Sequence, residues 1–317
     1  MSKALVTTQK VSDVVWKRVE MLKERQKNPE KYIPVPTPLQ DLNRILHGGL
    51  PRDPFYCVVL GMDKIGKSTV GTQLFMAYCE MSGKKGVLYD LEENLWQAAD
   101  RAMAMRSSTF SRTDIYTLNL TERDFEMMEQ IARDIEEQQE MFVNDQAFIL
   151  QTMIDDALER DCQVLGIDNY QLIQGGQGEG SVSKLESNSK TISRVRNIHG
   201  LTTFLMAQGN VKERTFGSTQ PFRDGDVVLE LDNIYEVIVG KKKRGNPLEG
   251  VRRVRVKRSR FSGTGELDVV FEPQYSRVRD AQTREKEPEN FVEFEEDLEQ
   301  LGLFQEEEET IIDGSKE

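Results

Sequence analysis

The residues best suited to chemistry are Gly61-Met62-Asp63-Lys64-Ile65-Gly66-Lys67-Ser68, which fit G-x-x-x-x-G-K-[ST] at every fixed position. Glycines at this spacing let successive backbone N–H groups converge on phosphate oxygens. The lysine adds a point charge at the terminal phosphates, and the serine hydroxyl can ligate magnesium. The candidate nucleotide-binding set is therefore Gly61, Lys64, Gly66, Lys67, Ser68 and Thr69. Three further groups qualify by type and place. Glu92 follows the apolar run 86–91 and can polarise a water, since general-base work needs a carboxylate within hydrogen-bond reach of the nucleophile. Asp168 closes the apolar run 162–168 and pairs with Ser68 as a magnesium holder. Gln208 follows the run 202–207, where a neutral polar group can sense the terminal phosphate.

These residues need elements that deliver them to one place. Phe55 to Leu60 is a short apolar run of the buried-strand kind, and Thr69 to Met81 carries helix formers with a stripe at Val70, Leu74, Ala77 and Met81. The runs 86–91, 162–168 and 202–207 read as further buried strands, whose carboxyl ends share a crevice in a parallel sheet. Thr121 to Asp124 reads as a capping box opening a helix, with another helix expected from Val143 to Arg160 and one from Ser183 to His199. Later strands are expected at 227–231, 235–239, 251–256 and 266–271, with a basic hairpin tip at Lys241 to Pro247. Two loops, 174–183 and 209–225, flank the nucleotide edge and offer Lys184, Lys212, Arg214 and Arg223 to a polyanion. Arg258 and Arg260, spaced by one at a strand end, read as a fork presented to something anionic.

At 317 residues the chain suits one large α/β domain with appendages. A helix opened by Ser12 and running to about Lys27 carries Val15, Val19 and Leu22 on one narrow stripe. It reads as packed on its own core or as an arm on a neighbouring subunit. Prolines 29, 34, 36 and 38 separate it from the rest. The expected domains are an arm at 1–30, the catalytic core at 31–280 and an acidic tail at 281–317. The net charge of −12 is segregated: residues 281–317 hold 14 Asp/Glu against 3 Lys/Arg, while 241–260 hold ten basic residues against Glu249. A near-neutral core with a basic segment keeps nucleic acid open as a partner. Cys57, Cys79 and Cys162 are expected as small core residues. No stretch approaches the roughly 18 apolar residues a membrane span needs, so no membrane partner is expected and a cytoplasmic location is, in a host cytoplasm if the source is viral.

Taken together these residues resemble the RecA-like motor domain of DnaB-type replicative helicases, a ring-forming, hexameric family, from about Lys31 to Arg279. The resemblance lies in Ile33 to Leu42, Asp90-Leu91-Glu92, Ile167-Asp168-Asn169-Tyr170-Gln171-Leu172, Ala207-Gln208, and Arg258-Ser259-Arg260 followed by Gly263-Thr264-Gly265-Glu266-Leu267. It implies a RecA-like P-loop NTPase fold with a mainly parallel sheet, helices on its faces and antiparallel strands at its carboxyl end. It implies ATP and Mg²⁺ at a seam between subunits, Arg258 and Arg260 as fingers into the neighbour's nucleotide, a hexameric homo-oligomer, and single-stranded DNA as substrate. The arm would match the family's linker helix. The collar domain has no counterpart in the sequence and the family's glycine is replaced by Ser262, so a stripped-down, phage-like motor core is expected. The core also resembles RadA-type recombinases through Lys257 to Phe261, which keeps an ATP-regulated filament on single strands as a second reading. The tail reads as a solubility segment or as a docking segment for a polymerase, primase or single-strand-binding protein.

Overall fold

The computed structural model describes residues 10–138, 140–209, 220–233 and 250–281. In chain order the elements are α1 (Val11–Lys27), α2 (Gln40–Ile45), β1 (Tyr56–Gly61), α3 (Lys67–Ser82), β2 (Gly86–Asp90), α4 (Leu95–Arg106), α5 (Arg112–Thr117) and α6 (Glu122–Gln138). There follow β3 (Met141–Asn144), α7 (Leu150–Glu159), β4 (Val164–Asp168), α8 (Ser181–His199), β5 (Thr202–Gln208), α9 (Gln220–Asp224), β6 (Val227–Asn233), β7 (Val251–Ser259), β8 (Gly265–Glu272) and β9 (Arg277–Asp280). The strands form one sheet in the order β3-β2-β4-β5-β1-β6-β7-β8-β9, with the first six parallel and the last three antiparallel. The expected α/β class, with its parallel core and antiparallel end, is what the chain adopts.

Strands β1, β2 and β4 are buried along their whole length, as continuous apolar runs covered on both faces must be. On one face, side chains from Cys57, Val59, Phe204 and Met206 pack under α3. On the other, Tyr56, Val58, Leu165 and Leu205 pack under α7 and α8. The first core is centred on aromatic rings: Phe204 meets Phe55 edge-on at 5.6 Å and Phe75 at 6.2 Å, while Phe55 meets Tyr78 at 5.3 Å. The three cysteines are free and buried, as expected.

Three sequence expectations are corrected. The helix expected over 143–160 is divided: Met141–Asn144 pairs with β2 as the edge strand, and only Leu150–Glu159 is helical, because Asn144 accepts from the Gln146 and Ala147 amides and turns the chain. The buried face of α3 is wider than the stripe at 70, 74, 77 and 81, taking in Phe75, Tyr78 and Cys79 while Met81 is exposed. Ser12 lies inside α1, whose cap is Lys10. Strand β2, which Glu92 follows, is separated from β1 by β4 and β5. The capping box at Thr121 and Asp124 is present, with both reciprocal bonds formed. The strand expected at 235–239, the hairpin tip at 241–247 and the acidic tail from 282 lie outside the described residues.

No residue of α1 is buried, and Val11, Val15, Trp16 and Leu22 are exposed along it. Its ties to the rest include an ion pair from Arg25 to Asp53 and the Arg25 guanidinium over the Tyr32 ring at 4.8 Å.

Truncating Phe204 removes the ring on which Phe55, Phe75 and Tyr78 converge. Phe204→Ala is expected to lower unfolding free energy by about 3–5 kcal/mol, read as a lower denaturation midpoint in urea.

Candidate active site

The parallel register decides which side chains meet. Gly61 pairs with Gln208, and Asp90 pairs with Asp168, so the carboxyl ends of β1, β5, β4 and β2 lie along one edge. Helix α3 leaves that edge after the phosphate loop and packs across β5 and β4. This crossing brings the start of α3 to the strand ends despite the two intervening strands. Gly61, Lys67, Ser68, Glu92, Asp168 and Gln208 are thereby assembled together.

The loop shows why its glycines are needed. A Cβ on Gly61 would lie 2.6 Å from Ile65 Cγ2, because the loop closes back over β1. Gly66 has φ of +103°, and a Cβ there would meet the Phe271 ring of β8 at 3.0 Å. Lys67 is buried, and its Nζ donates to the Met62 carbonyl at 3.1 Å, a partner an anion would replace. Lys64 is exposed at φ 58°, and Thr69 is half-buried on the first turn of α3.

Two carboxylates end neighbouring strands in complete burial. Asp90 and Asp168 are each 0% exposed. The Arg101 guanidinium, brought in by α4, stands 3.3 Å from Asp90, 3.7 Å from Asp168 and 2.6 Å from Glu93. Its Nη1 also donates to Thr72 Oγ1 on α3 at 3.2 Å. Burial pushes the Asp168 carboxyl up to about 6, with Arg101 and then the nearby Ser68 hydroxyl opposing the rise. Burial raises Asp90 too, against Arg101.

Both oxygens of Asp168 and one of Asp90 are buried without a hydrogen-bond donor. Ser68 stands close enough to Asp168 to act on its proton affinity. Orphaned buried carboxylate oxygens facing a hydroxyl are a donor set suited to Mg²⁺, so Ser68 and Asp168 fit the ion expected of them. No cluster of three or more His, Cys, Asp or Glu ligands occurs among the described residues.

Of the two acids after β2, Glu93 is committed: Arg101 and Arg112 hold it at 2.6 and 3.3 Å. Glu92 is exposed and carries no ion pair among the described residues; its Oε1 accepts from Asn169 Nδ2 at 2.7 Å. Gln208 is fixed by its backbone, donating from N to Gln171 Oε1 at 3.1 Å and accepting Gln171 Nε2 at its carbonyl at 2.9 Å. Its side chain makes no hydrogen bond among the described residues.

Arg258 and Arg260 are not brought to this edge. Strand β7 runs antiparallel, and Ser259 pairs with Val227, which pairs with Cys57 at the amino end of β1. Four residues of strand separate Cys57 from Gly61, about 13 Å. At that opposite edge Arg258 Nη1 donates to the carbonyl of Arg223 at 2.6 Å, and Arg260 stands 3.1 Å from Asp226. Within one chain, then, the fork has carbonyl and carboxylate partners of its own. Lys184 and Arg223 are exposed on α8 and α9, while Lys212 and Arg214 lie outside the described residues. Asp90, Arg101 and Asn169 were not picked out as site residues from sequence; Arg101 sits on a helix whose only local signal is the Asn94–Gln97 capping box.

Comparison with known families matches residues 34–206, more than half of the chain, to the DnaB-like helicase C terminal domain. No curated protein matches. Among solved structures, the chain resembles one described as an ATPase domain with a TM-score of 0.69 at 11% identity, covering 87% of this chain and 100% of that one. It resembles a DnaB-like replicative helicase, solved in a study of its interactions with primase, with a TM-score of 0.67 at 12% identity, covering 86% and 67%. A KaiC-like protein from Pyrococcus horikoshii OT3 aligns with a TM-score of 0.51 at 17% identity, covering 78% and 98%. At these identities the structural likeness speaks for the RecA-like fold.

Because the Asp168 carboxyl is raised on folding, its ionisation opposes the folded state. The penalty is absent below about pH 4, grows through pH 6 and is complete above it, at roughly 3 kcal/mol. Asp168→Asn removes it. Without magnesium, the variant is expected to melt with the wild type near pH 4 and above it at pH 8, followed by thermal denaturation across that range.

Proposed function

The chain belongs to the DnaB-like helicase C-terminal domain family, and from that premise we propose that it is a DNA-dependent ATPase working as a ring-shaped, hexameric motor on single-stranded DNA in replication. The observation that carries this reading is the separation of the site into two halves. Lys67, Ser68, Glu92, Asp168 and Gln208 share one sheet edge, and Arg258 and Arg260 lie at the other. An arginine that cannot reach its own nucleotide can complete a neighbour's by exchanging its local partners for phosphate.

In that arrangement the loop amides and Lys67 bind the phosphates, with Lys64 and Thr69 flanking them. Ser68 and Asp168 are the residues that would hold a magnesium ion, which when bound would supply positive charge to the phosphate oxygens. Glu92, exposed and free of ion pairs among the described residues, polarises the attacking water. Gln208 reports on the terminal phosphate to the segment that follows it. Arg258 and Arg260 of the adjacent protomer stabilise transition-state charge, a contribution of about 10³ to 10⁵ in rate. The unburied apolar stripe of α1 supports an arm seated on a neighbour. Lys184 and Arg223, with Lys212 and Arg214, would meet the DNA backbone, making binding salt-dependent and weakly selective for sequence. A primase, polymerase or single-strand-binding protein is the class of partner for the acidic tail.

Arg260→Ala is expected to retain ATP binding within a few-fold and to lose oligonucleotide-stimulated hydrolysis. Mixing it with Lys67→Ala protomers should restore part of the activity, because each supplies the half the other lacks. Full turnover by Arg260→Ala alone would refute a finger acting between protomers. Unwinding of a forked duplex by the wild type separates a motor from a filament that only coats strands.

A further inference from the structure

We propose that Asn169 is the positioning residue that aims the Glu92 carboxylate, and that it does so as part of a relay joining three strand ends. The inference rests on the reading of Glu92 as the water-polarising group.

Asn169 follows the last residue of β4 and is 5% exposed. Both ends of its side-chain amide are engaged. Nδ2 donates to Glu92 Oε1 at 2.7 Å, the one side-chain hydrogen bond of Glu92 among the described residues. Oδ1 accepts from the Gln171 backbone N–H at 3.2 Å, capping the single turn Tyr170–Leu172. An amide held at one end by backbone has little freedom at the other, so its donor points in one direction.

Glu92 itself is exposed, follows a strand end and lacks the ion pairs that pin Glu93. An exposed glutamate has three rotatable side-chain bonds, and a general base must hold its oxygen near 3 Å from the water. A charge-assisted bond from a buried, fixed amide is the contact available to select one rotamer. Asn169 is adjacent to Asp168, so the aim of Glu92 is referenced to the residue proposed to hold magnesium.

The relay continues beyond this pair. Gln171, whose N–H fixes Asn169, also makes both bonds to the Gln208 backbone. Glu92 after β2, Asn169 after β4 and Gln208 at the end of β5 are thus joined through two amide side chains. The sensing residue and the base are set by the same turn.

The test uses the full chain with a single-stranded oligonucleotide and compares Asn169→Asp, Asn169→Ala, Glu92→Gln and the double variants. Asn169→Asp keeps an acceptor for the Gln171 N–H and preserves the turn, but replaces the donor facing Glu92 with an oxygen. It is expected to lower kcat by about 10- to 100-fold, with KM and affinity for a non-hydrolysable ATP analogue within about twofold. Binding of ADP with aluminium fluoride should weaken by a similar factor, and in the Glu92→Gln background the Asn169 changes should weaken it no further. Wild-type kcat in Asn169→Asp, additive losses in the double variants, or an equal loss of ATP-analogue affinity would each overturn the positioning role while leaving Glu92 as the base. Wild-type turnover by Glu92→Gln would overturn both.

Discussion

Asp90 and Asp168 end adjacent parallel strands in register and out of contact with water, and the Arg101 guanidinium is the cation that lets them remain there. Two buried carboxylates so placed repel each other and lose their hydration. A single planar group between them, also bonded to Glu93 and to Thr72, offsets much of that cost. The arrangement ties α4 and α3 to the edge of the sheet. It also leaves the oxygens of Asp168 short of donors, so the cost of burial falls where a divalent cation would relieve it. The phosphate loop, Glu92 and Gln208 all take their places around this junction.

Much of this was legible in the residues. The phosphate loop declares itself by spacing alone, and the buried strands are continuous apolar runs whose ends carry Glu92, Asp168 and Gln208. What stayed hidden depends on side chains that meet across distant elements. Arg101 is an ordinary arginine on an ordinary helix until the sheet order puts its guanidinium beneath two strand ends. Asn169 looks like a loop residue until Glu92, 77 positions away along the chain, folds onto it. The helix expected from Val143 overlaps only the end of the strand Met141–Asn144, whose residues have no period of their own and whose pairing with β2 overrides local preference. The apolar stripe of α3 is narrower in sequence than its buried face because that helix is covered from more than one side.

The division of the site between opposite edges bears on how turnover is regulated. A protomer carries a nucleotide pocket on one edge and a pair of arginines on the other, and those arginines are engaged locally by Asp226 and by carbonyls of α9. Handing them to a neighbour means exchanging these partners for phosphate. On the function proposed above, hydrolysis would be conditional on assembly, since an isolated chain keeps its cations at home.

The contact between Phe271 and Gly66 reaches further than the turn it shapes. The ring comes from β8, one of the antiparallel strands beyond the stretch that matches the family, and its neighbours extend the same embrace: Gln73 exchanges bonds with the Val278 backbone, and Asp280 accepts from the amides that open α2. The end of the sheet therefore buttresses its beginning. A fragment cut at the family boundary would keep every signature residue of the phosphate loop yet lose the wall against which that loop is moulded, so the shape of the loop is set in part by strands that carry none of its signature.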